Sequence, residues 1–227
     1  PVAPVYKDVK ELWGKSNVGY TPTLIVNYGG VNGEYYWYQH TNVWENEKLL
    51  KYTPRGIIDS RSRYRTMVPE EEYKNGHILV SETTKALSDA GVKVNLGAHG
   101  QLQGLGAHWE LWLLQQGGMS NHEALKAATI NGANYIGAGN DIGSLKKGKL
   151  ADLIIMDKNP LENIRHSESI IYTMINGRLY DVSDMSEMVS GKSTVEPLFF
   201  DRLEINAMPA ATAKSVAQKA KRHHWVH

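Results

Sequence analysis

The chain has 227 residues, 41% hydrophobic and 22% charged, the composition of a globular protein with enough chain for one large domain or two small ones. Its 25 basic and 24 acidic residues give a formal net charge of +1, so nothing draws it generally to nucleic acid or anionic membrane, and no apolar run approaches a membrane span. With no cysteine, disulfides and thiolate metal sites are excluded, and any metal must be held by His, Asp or Glu.

Val5, Val9, Leu12 and Trp13 have helical spacing and predict a helix over Tyr6–Ser16. "YTPTLIVNY", 20–28, is apolar and β-branched, the pattern of a strand covered on both faces, and Gly29-Gly30 ends it. Residues 29–69 form a long excursion. Tyr35, Tyr36, Trp37, Tyr38 and Trp44 argue against disorder there, and a lid, a subsite wall or simple self-packing all fit. Arg61, Arg63 and Arg65 alternate, making a cationic edge that is solvated or meets a carboxylate.

Pro69 opens a helix running to about Ala90, with Ile78, Leu79, Thr83, Ala86 and Leu87 as its apolar stripe and Gly91 as C-cap. "KVNLGAH", 93–99, is the next strand, followed by a helix from about Gly106 to Gln116 that Gly117-Gly118 stops. Ser120 and Glu123 fit a capping box, and Leu125, Ala128, Gly132 and Ile136 mark one face of the helix they open. Ala151–Asp157 reads as a buried strand, and Asn176-Gly177 as the type I′ turn of a hairpin. From Met185 the pattern weakens into a tail, whose His223, His224 and His227 read as a loose terminal cluster.

The strand–helix alternation predicts an α/β fold with a parallel sheet, whose sites lie at the carboxyl ends of its strands. His99 ends the 93–99 strand between Ala98 and Gly100, small neighbours that leave room for a metal or a ligand. A histidine bonded to a backbone carbonyl at a strand end is the competing reading. His108 follows on the next helix. Gln101 and Gln103 can bond a substrate or their own loop, and "GQLQGLG" lacks the Lys-Ser/Thr ending of a phosphate loop. Glu110 near a helix N-terminus is already explained by the helix dipole, and Trp109 and Trp112 read as packing.

The most specific stretch is "HEALKAATINGANYIGAGNDIGSLKKGKLADLIIMDKNPL", with Ala128-Thr129, Ala133, Ile142-Gly143-Ser144-Leu145, Gly148-Lys149 and Ala151-Asp152-Leu153 at fixed spacing. It resembles the C-terminal signature of the metal-dependent amidohydrolase superfamily. "YTPTLIVNYGG" and "GAHGQLQGLGAHWELW" resemble its imidazolonepropionase-like members, especially those fused to a TolB-type propeller.

The resemblance covers about residues 1 to 183. It implies an α/β fold, the C-terminal portion of a (β/α)8 TIM-like barrel (1–137, with strands 7 and 8), part of a small β-sandwich (138–184) and a tail (185–227). It also implies a hydrolase of non-peptide C–N bonds, such as cyclic amides or imides, that uses water activated by a divalent metal, zinc by preference. A dipeptidase-like activity on acylated amino acids is the nearest variant. "Gly-Ala-His" stands where the superfamily has "Gly-Thr-Asp", so His99 takes the place of the strand-8 aspartate as metal ligand or proton carrier. His108 is the second catalytic candidate, and Gln101, Tyr28 and Glu110 are the substrate-side candidates. The superfamily's His-x-His and its other ligands have no counterpart in the chain, and are expected upstream of Pro1. The chain alone is therefore expected to be inactive, and to self-associate or to join the missing N-terminal part. A small molecule is the expected substrate, with no nucleic acid or membrane partner. The alternative is a non-catalytic binding or assembly module that grips a sugar or peptide with the aromatic 29–69 loop.

Overall fold

The computed structural model describes residues 6–26, 33–62, 68–192, 198 and 200. Tyr28, Gly29-Gly30, Arg63, Arg65 and the terminal histidines lie outside the described residues. Helix α1 (Lys7–Lys15) forms where the spacing places it. It lies backbone to backbone on the chain near Ala90: a Cβ on Gly14 would sit 2.0 Å from the Ala90 carbonyl oxygen.

Strand β1 (Gly19–Tyr20) is far shorter than the expected 20–28. Pro22 has no N–H to give a ladder, Thr23 turns to φ +51°, and Leu24–Val26 coil into a 3₁₀ turn. The amides of Leu24 and Ile25 bond the Glu110 side chain instead of a neighbouring strand.

The described part of the 29–69 excursion is mostly short helices joined by brief links, not one long loop. It comprises α2 (Gly33–His40), a 3₁₀ turn (Val43–Glu45), α3 (Glu47–Tyr52) and α4 (Arg55–Ser62). Asn42 and Asn46 cap two of these pieces, accepting from the amides of Trp44 (3.2 Å) and Leu49 (2.9 Å). Trp37 and Tyr38 are buried in the core, while Tyr36 stacks on His40 at 3.9 Å and meets Tyr73 edge-on at 5.1 Å. Of the roles open to these rings, self-packing accounts for the ones described.

Pro69 precedes α5 (Glu70–Tyr73), which passes through a π-helical turn (Lys74–Ile78) into α6 (Leu79–Asp89). Gly76, at φ −103° and ψ −113°, supplies the kink. The face of α6 that turns inward is Ser81, Thr84 and Leu87, not the larger stripe expected; only Leu87 is shared. Small residues are needed there because α6 meets the end of the next helix closely. A Cβ on Gly117 would come within 2.2 Å of Ser81 Oγ, and Ser81 Oγ donates to the Leu113 carbonyl at 2.5 Å.

Strand β2 (Lys93–Val94) pairs in parallel with β1, Gly19 opposite Lys93 and Tyr20 opposite Val94. Beyond Asn95, whose amide bonds the Tyr20 carbonyl, the chain leaves the sheet: Leu96 N–H donates to Ala127 O. Helix α7 (Leu105–Gln116) then runs through the centre of the molecule. It is apolar nearly all round, with Trp109, Trp112, Leu113 and Leu114 all core, as suits a helix surrounded by others.

The capping box forms as expected at α8 (Asn121–Lys126): Ser120 Oγ accepts from Glu123 N–H, and the Glu123 carboxylate accepts from Ser120 N–H. A π-helical turn (Ala127–Asn131) leads into α9 (Gly132–Tyr135). That wide turn rotates the inward face, so Ala124, Ala127 and Ala133 are buried while Ile136 is 72% exposed.

The remainder is an antiparallel sheet in the order β3 (Leu153–Met156), β4 (Ile170–Ile175), β5 (Arg178–Asp181). Asn176 (φ +49°) and Gly177 (φ +78°) make the predicted two-residue turn. The strand expected to be buried at 151–157 is instead open, with Ile154 and Ile155 50% and 38% exposed. Its apolar run suits a strand covered on both faces, whereas the described residues form a single layer there.

Helix α3 ties this sheet to the helices. The Lys48 ammonium donates to the carbonyls of Glu168 and Ile170, Lys51 to that of Ser183, and Tyr52 Oη to that of Val182. Arg165, just before β4, lies over Trp37 and Trp112, 5.2 Å from each ring centre. No described helix is long and apolar enough to cross a membrane. The described residues show two parallel strands and one three-stranded sheet, so neither a closed barrel nor a second sandwich layer is seen among them.

Candidate active site at the ends of two parallel strands

The carboxyl ends of β1 and β2 continue as 21–26 and 95–104, and the two segments touch. A Cβ on Gly97 would meet Thr21 Cγ2 at 2.4 Å and Thr23 Oγ1 at 2.9 Å. Three non-glycine residues here have positive φ: Thr23 (+51°), His99 (+51°) and Leu102 (+33°). For a β-branched threonine that is an outlier. Such conformations cost of order 1–3 kcal/mol each and persist only where the surroundings enforce them.

The enforcement is visible. Glu110, on the sixth position of α7 and fully buried, accepts from the amides of Leu24 and Ile25 at 2.8 Å each. It thereby pins the turn immediately after Thr23. Burial pushes the Glu110 carboxyl up to about 8, and the two amides pull it part of the way back. On the other strand, Gln101 N–H donates to Ala98 O at 3.1 Å, and Gly106 N–H to Leu102 O at 2.7 Å. A side chain at Gly106 would force the backbone to shift, since a Cβ would lie 1.8 Å from the Gln101 carbonyl oxygen.

His99 is exposed at the tip of the 95–104 segment, and Gln101 is half-buried behind it. Both oxygens of Glu110 are engaged by the amides of Leu24 and Ile25, an arrangement that positions the 24–26 turn. Tyr28, the other substrate-side candidate, lies outside the described residues. No three His, Asp or Glu side chains gather into a cation site among the described residues. What the described residues show is one histidine on a braced loop.

His108 is elsewhere. It borders a cleft of about 630 Å³ between α3, the Gln103–Leu105 corner and the three-stranded sheet, whose lining includes neither His99 nor Gln101. Its Nδ1 is 3.0 Å from Ser167 Oγ. Burial, and secondarily the Lys48 charge, lower its pKa to about 4, so the ring is neutral near pH 7. The structure therefore separates the two histidines that the sequence set nine positions apart. Ser167, Lys48 and Glu168, which surround His108, carried no motif that pointed to them.

Residues 84–180 match the amidohydrolase family. The chain is 34% identical over 113 residues to a 5-methylthioadenosine/S-adenosylhomocysteine deaminase of Teredinibacter turnerae, a match covering 44% of this chain and 26% of the relative. It is 54% identical over 44 residues to an imidazolonepropionase of Syntrophobacter fumaroxidans, covering 19% and 10%. Among solved structures, a Xaa-Pro dipeptidase with bound methionine superposes with a TM-score of 0.52 at 22% identity, over 78% of this chain and 38% of that one. The last likeness is one of fold. The chain spans about a quarter of the deaminase's length. By signature and relatives together, residues 84–180 of this chain are similar to the amidohydrolase family.

Proposed function

We propose that the protein is a metal-dependent hydrolase of non-peptide C–N bonds in small molecules, of the cyclic amide or imide type, acting through metal-activated water. The observation that carries this reading is the braced, strained pair of strand ends, Thr23 beside Gly97 and His99, within and next to the family-matched segment. Strain of this kind is held where a reacting group must be aimed. The name of the imidazolonepropionase relative supports the cyclic-amide class.

In this proposal His99 offers a ring nitrogen, as ligand or proton carrier, from the place the superfamily gives to an aspartate. Gln101 and Tyr28 border the substrate, and Glu110 holds the floor. The other ligands lie in the part of such relatives that this chain does not match. Residues 1–137 then belong to the barrel and 138–184 to the sandwich, with 185–227 as a tail, and the chain alone is inactive until it associates with that missing part or with further copies. The alternative, a module gripping ligand with aromatic rings, has less support, because Trp37 and Tyr38 are in the core.

Metal analysis of the full-length protein tests the proposal. Stoichiometric zinc or another divalent ion, reduced in His99→Ala, together with turnover of a panel of lactams and cyclic imides, is the expected result. Metal content unchanged in His99→Ala defeats the assignment of that residue. Turnover by the isolated 227-residue chain at ordinary enzyme rates defeats the claim that it is incomplete.

A further inference from the structure

The cleft beside His108 shares Gln103 and Gly104 with the 95–104 segment but includes neither His99 nor Gln101, and its polar groups are arranged in a definite way. Trp112 Nε1 lies 3.0 Å from Ser167 Oγ and 3.1 Å from the Ile164 carbonyl. An indole nitrogen can only donate, so Ser167 Oγ accepts from it. Ser167 is buried, and its own hydroxyl hydrogen has a single acceptor among the described residues, His108 Nδ1 at 3.0 Å. A nitrogen that accepts cannot carry the ring proton. The neutral imidazole of His108 therefore holds its hydrogen on Nε2, which has no protein partner among the described residues.

The rest of the lining defines what such a donor could meet. Leu49, Leu105, Ile154, Ile170, Val182 and Met185 make most of the wall apolar. The Lys48 ammonium keeps its charge while donating to the Glu168 and Ile170 carbonyls, but it is outnumbered by the carboxylates of the lining. Glu45, Glu47 and Glu168 also line the cleft and disfavour an anion. A volume of about 630 Å³ falls within the range of small-molecule sites.

We propose that this cleft is a second ligand site, distinct from the one at His99. It binds an uncharged, mostly apolar small molecule through one carbonyl-type oxygen that accepts from His108 Nε2–H.

Three matched probes test this on the 227-residue chain by calorimetry and ¹⁵N NMR: benzanilide, N-benzylaniline, which lacks the carbonyl, and 4-benzamidobenzoate, which adds a negative charge. Benzanilide is expected to bind one to one, about fivefold tighter than N-benzylaniline, the worth of one neutral hydrogen bond. The benzoate is expected to bind more weakly than benzanilide. His108→Phe should remove the advantage of benzanilide and leave N-benzylaniline unchanged. Thr173→Trp, which fills the cleft from β4, should abolish binding of both. The probe series and Thr173→Trp decide the matter even if His108→Phe does not fold. The imidazole ¹⁵N shifts should show an unprotonated Nδ1. The proposal is overturned by a protonated Nδ1, by no saturable binding of benzanilide up to its solubility, by equal weakening of amide and amine in His108→Phe, or by binding that survives Thr173→Trp.

Discussion

Glu110→Gln is the sharpest probe of how the strand ends are braced. Glu110 ionises near 4.5 in an unfolded chain and near 8 in the folded one. Between those values the native state holds one proton more than the unfolded state, so stability falls as pH rises. The contribution is fully present below about 4.5 and is lost as pH climbs through about 8; in full it amounts to about 5 kcal/mol. Two buried histidines work in the opposite sense. His77 and His108 are lowered from 6.5 to about 4, so the stability they contribute is present above 6.5 and lost as pH falls toward 4. From pH 6.5 to 8 the unfolded imidazoles finish losing their protons, which adds about 0.4 kcal/mol of stability per histidine. Glu110 removes about 1.5 kcal/mol over the same window, and the difference between the parent and Glu110→Gln isolates it. Glutamine keeps one acceptor and sets its NH₂ group against the second amide, which costs about 1–3 kcal/mol at pH 6.5. Urea unfolding followed by the fluorescence of the buried Trp109 and Trp112 measures both quantities. The parent should lose stability across the window more steeply than Glu110→Gln by that amount. Identical slopes in the two proteins would refute the claim that this buried carboxyl takes up a proton on folding.

Two further substitutions test the surrounding frame. Gly106→Ala drives a methyl into the Gln101 carbonyl, a backbone atom with no easy retreat, and should cost about 1–3 kcal/mol in a thermal melt, with amide shifts running from Ala98 to Leu102. Ser120→Ala removes the acceptor for Glu123 N–H and should lower stability by about 1 kcal/mol, read as a shift in the urea midpoint with an unchanged slope.

The features that could be read from the chain are those set by neighbours in sequence. The Ser120/Glu123 box, the Asn176-Gly177 turn, the glycines after α7 and the helix opened by Pro69 all rest on contacts a few residues long. Residues 29–69 were legible in part: Asn42 and Asn46 stand as caps before short helices, a signal that the density of aromatic residues obscured. The short β1 was legible in part, since Pro22 breaks the ladder locally, but the group that draws Leu24 out of the sheet, Glu110, lies 86 positions away. The same holds for the cleft, where Ser167 reaches His108 across 59 positions. The apolar run places a strand at 93–99, but it ends at Val94, and His99 lies in a turn five residues beyond it. The close approaches of Gly97 to Thr21 and Thr23 and of Gly106 to Gln101, on either side of His99, are recorded by no local pattern.

Lys48, Lys51 and Tyr52 reach the three-stranded sheet, and every one of those bonds ends on a main-chain oxygen. Peptide carbonyls are present whatever side chains a strand carries. The outer residues of the sheet can therefore drift by mutation while its seating against the helices persists, provided Lys48, Lys51 and Tyr52 themselves are kept.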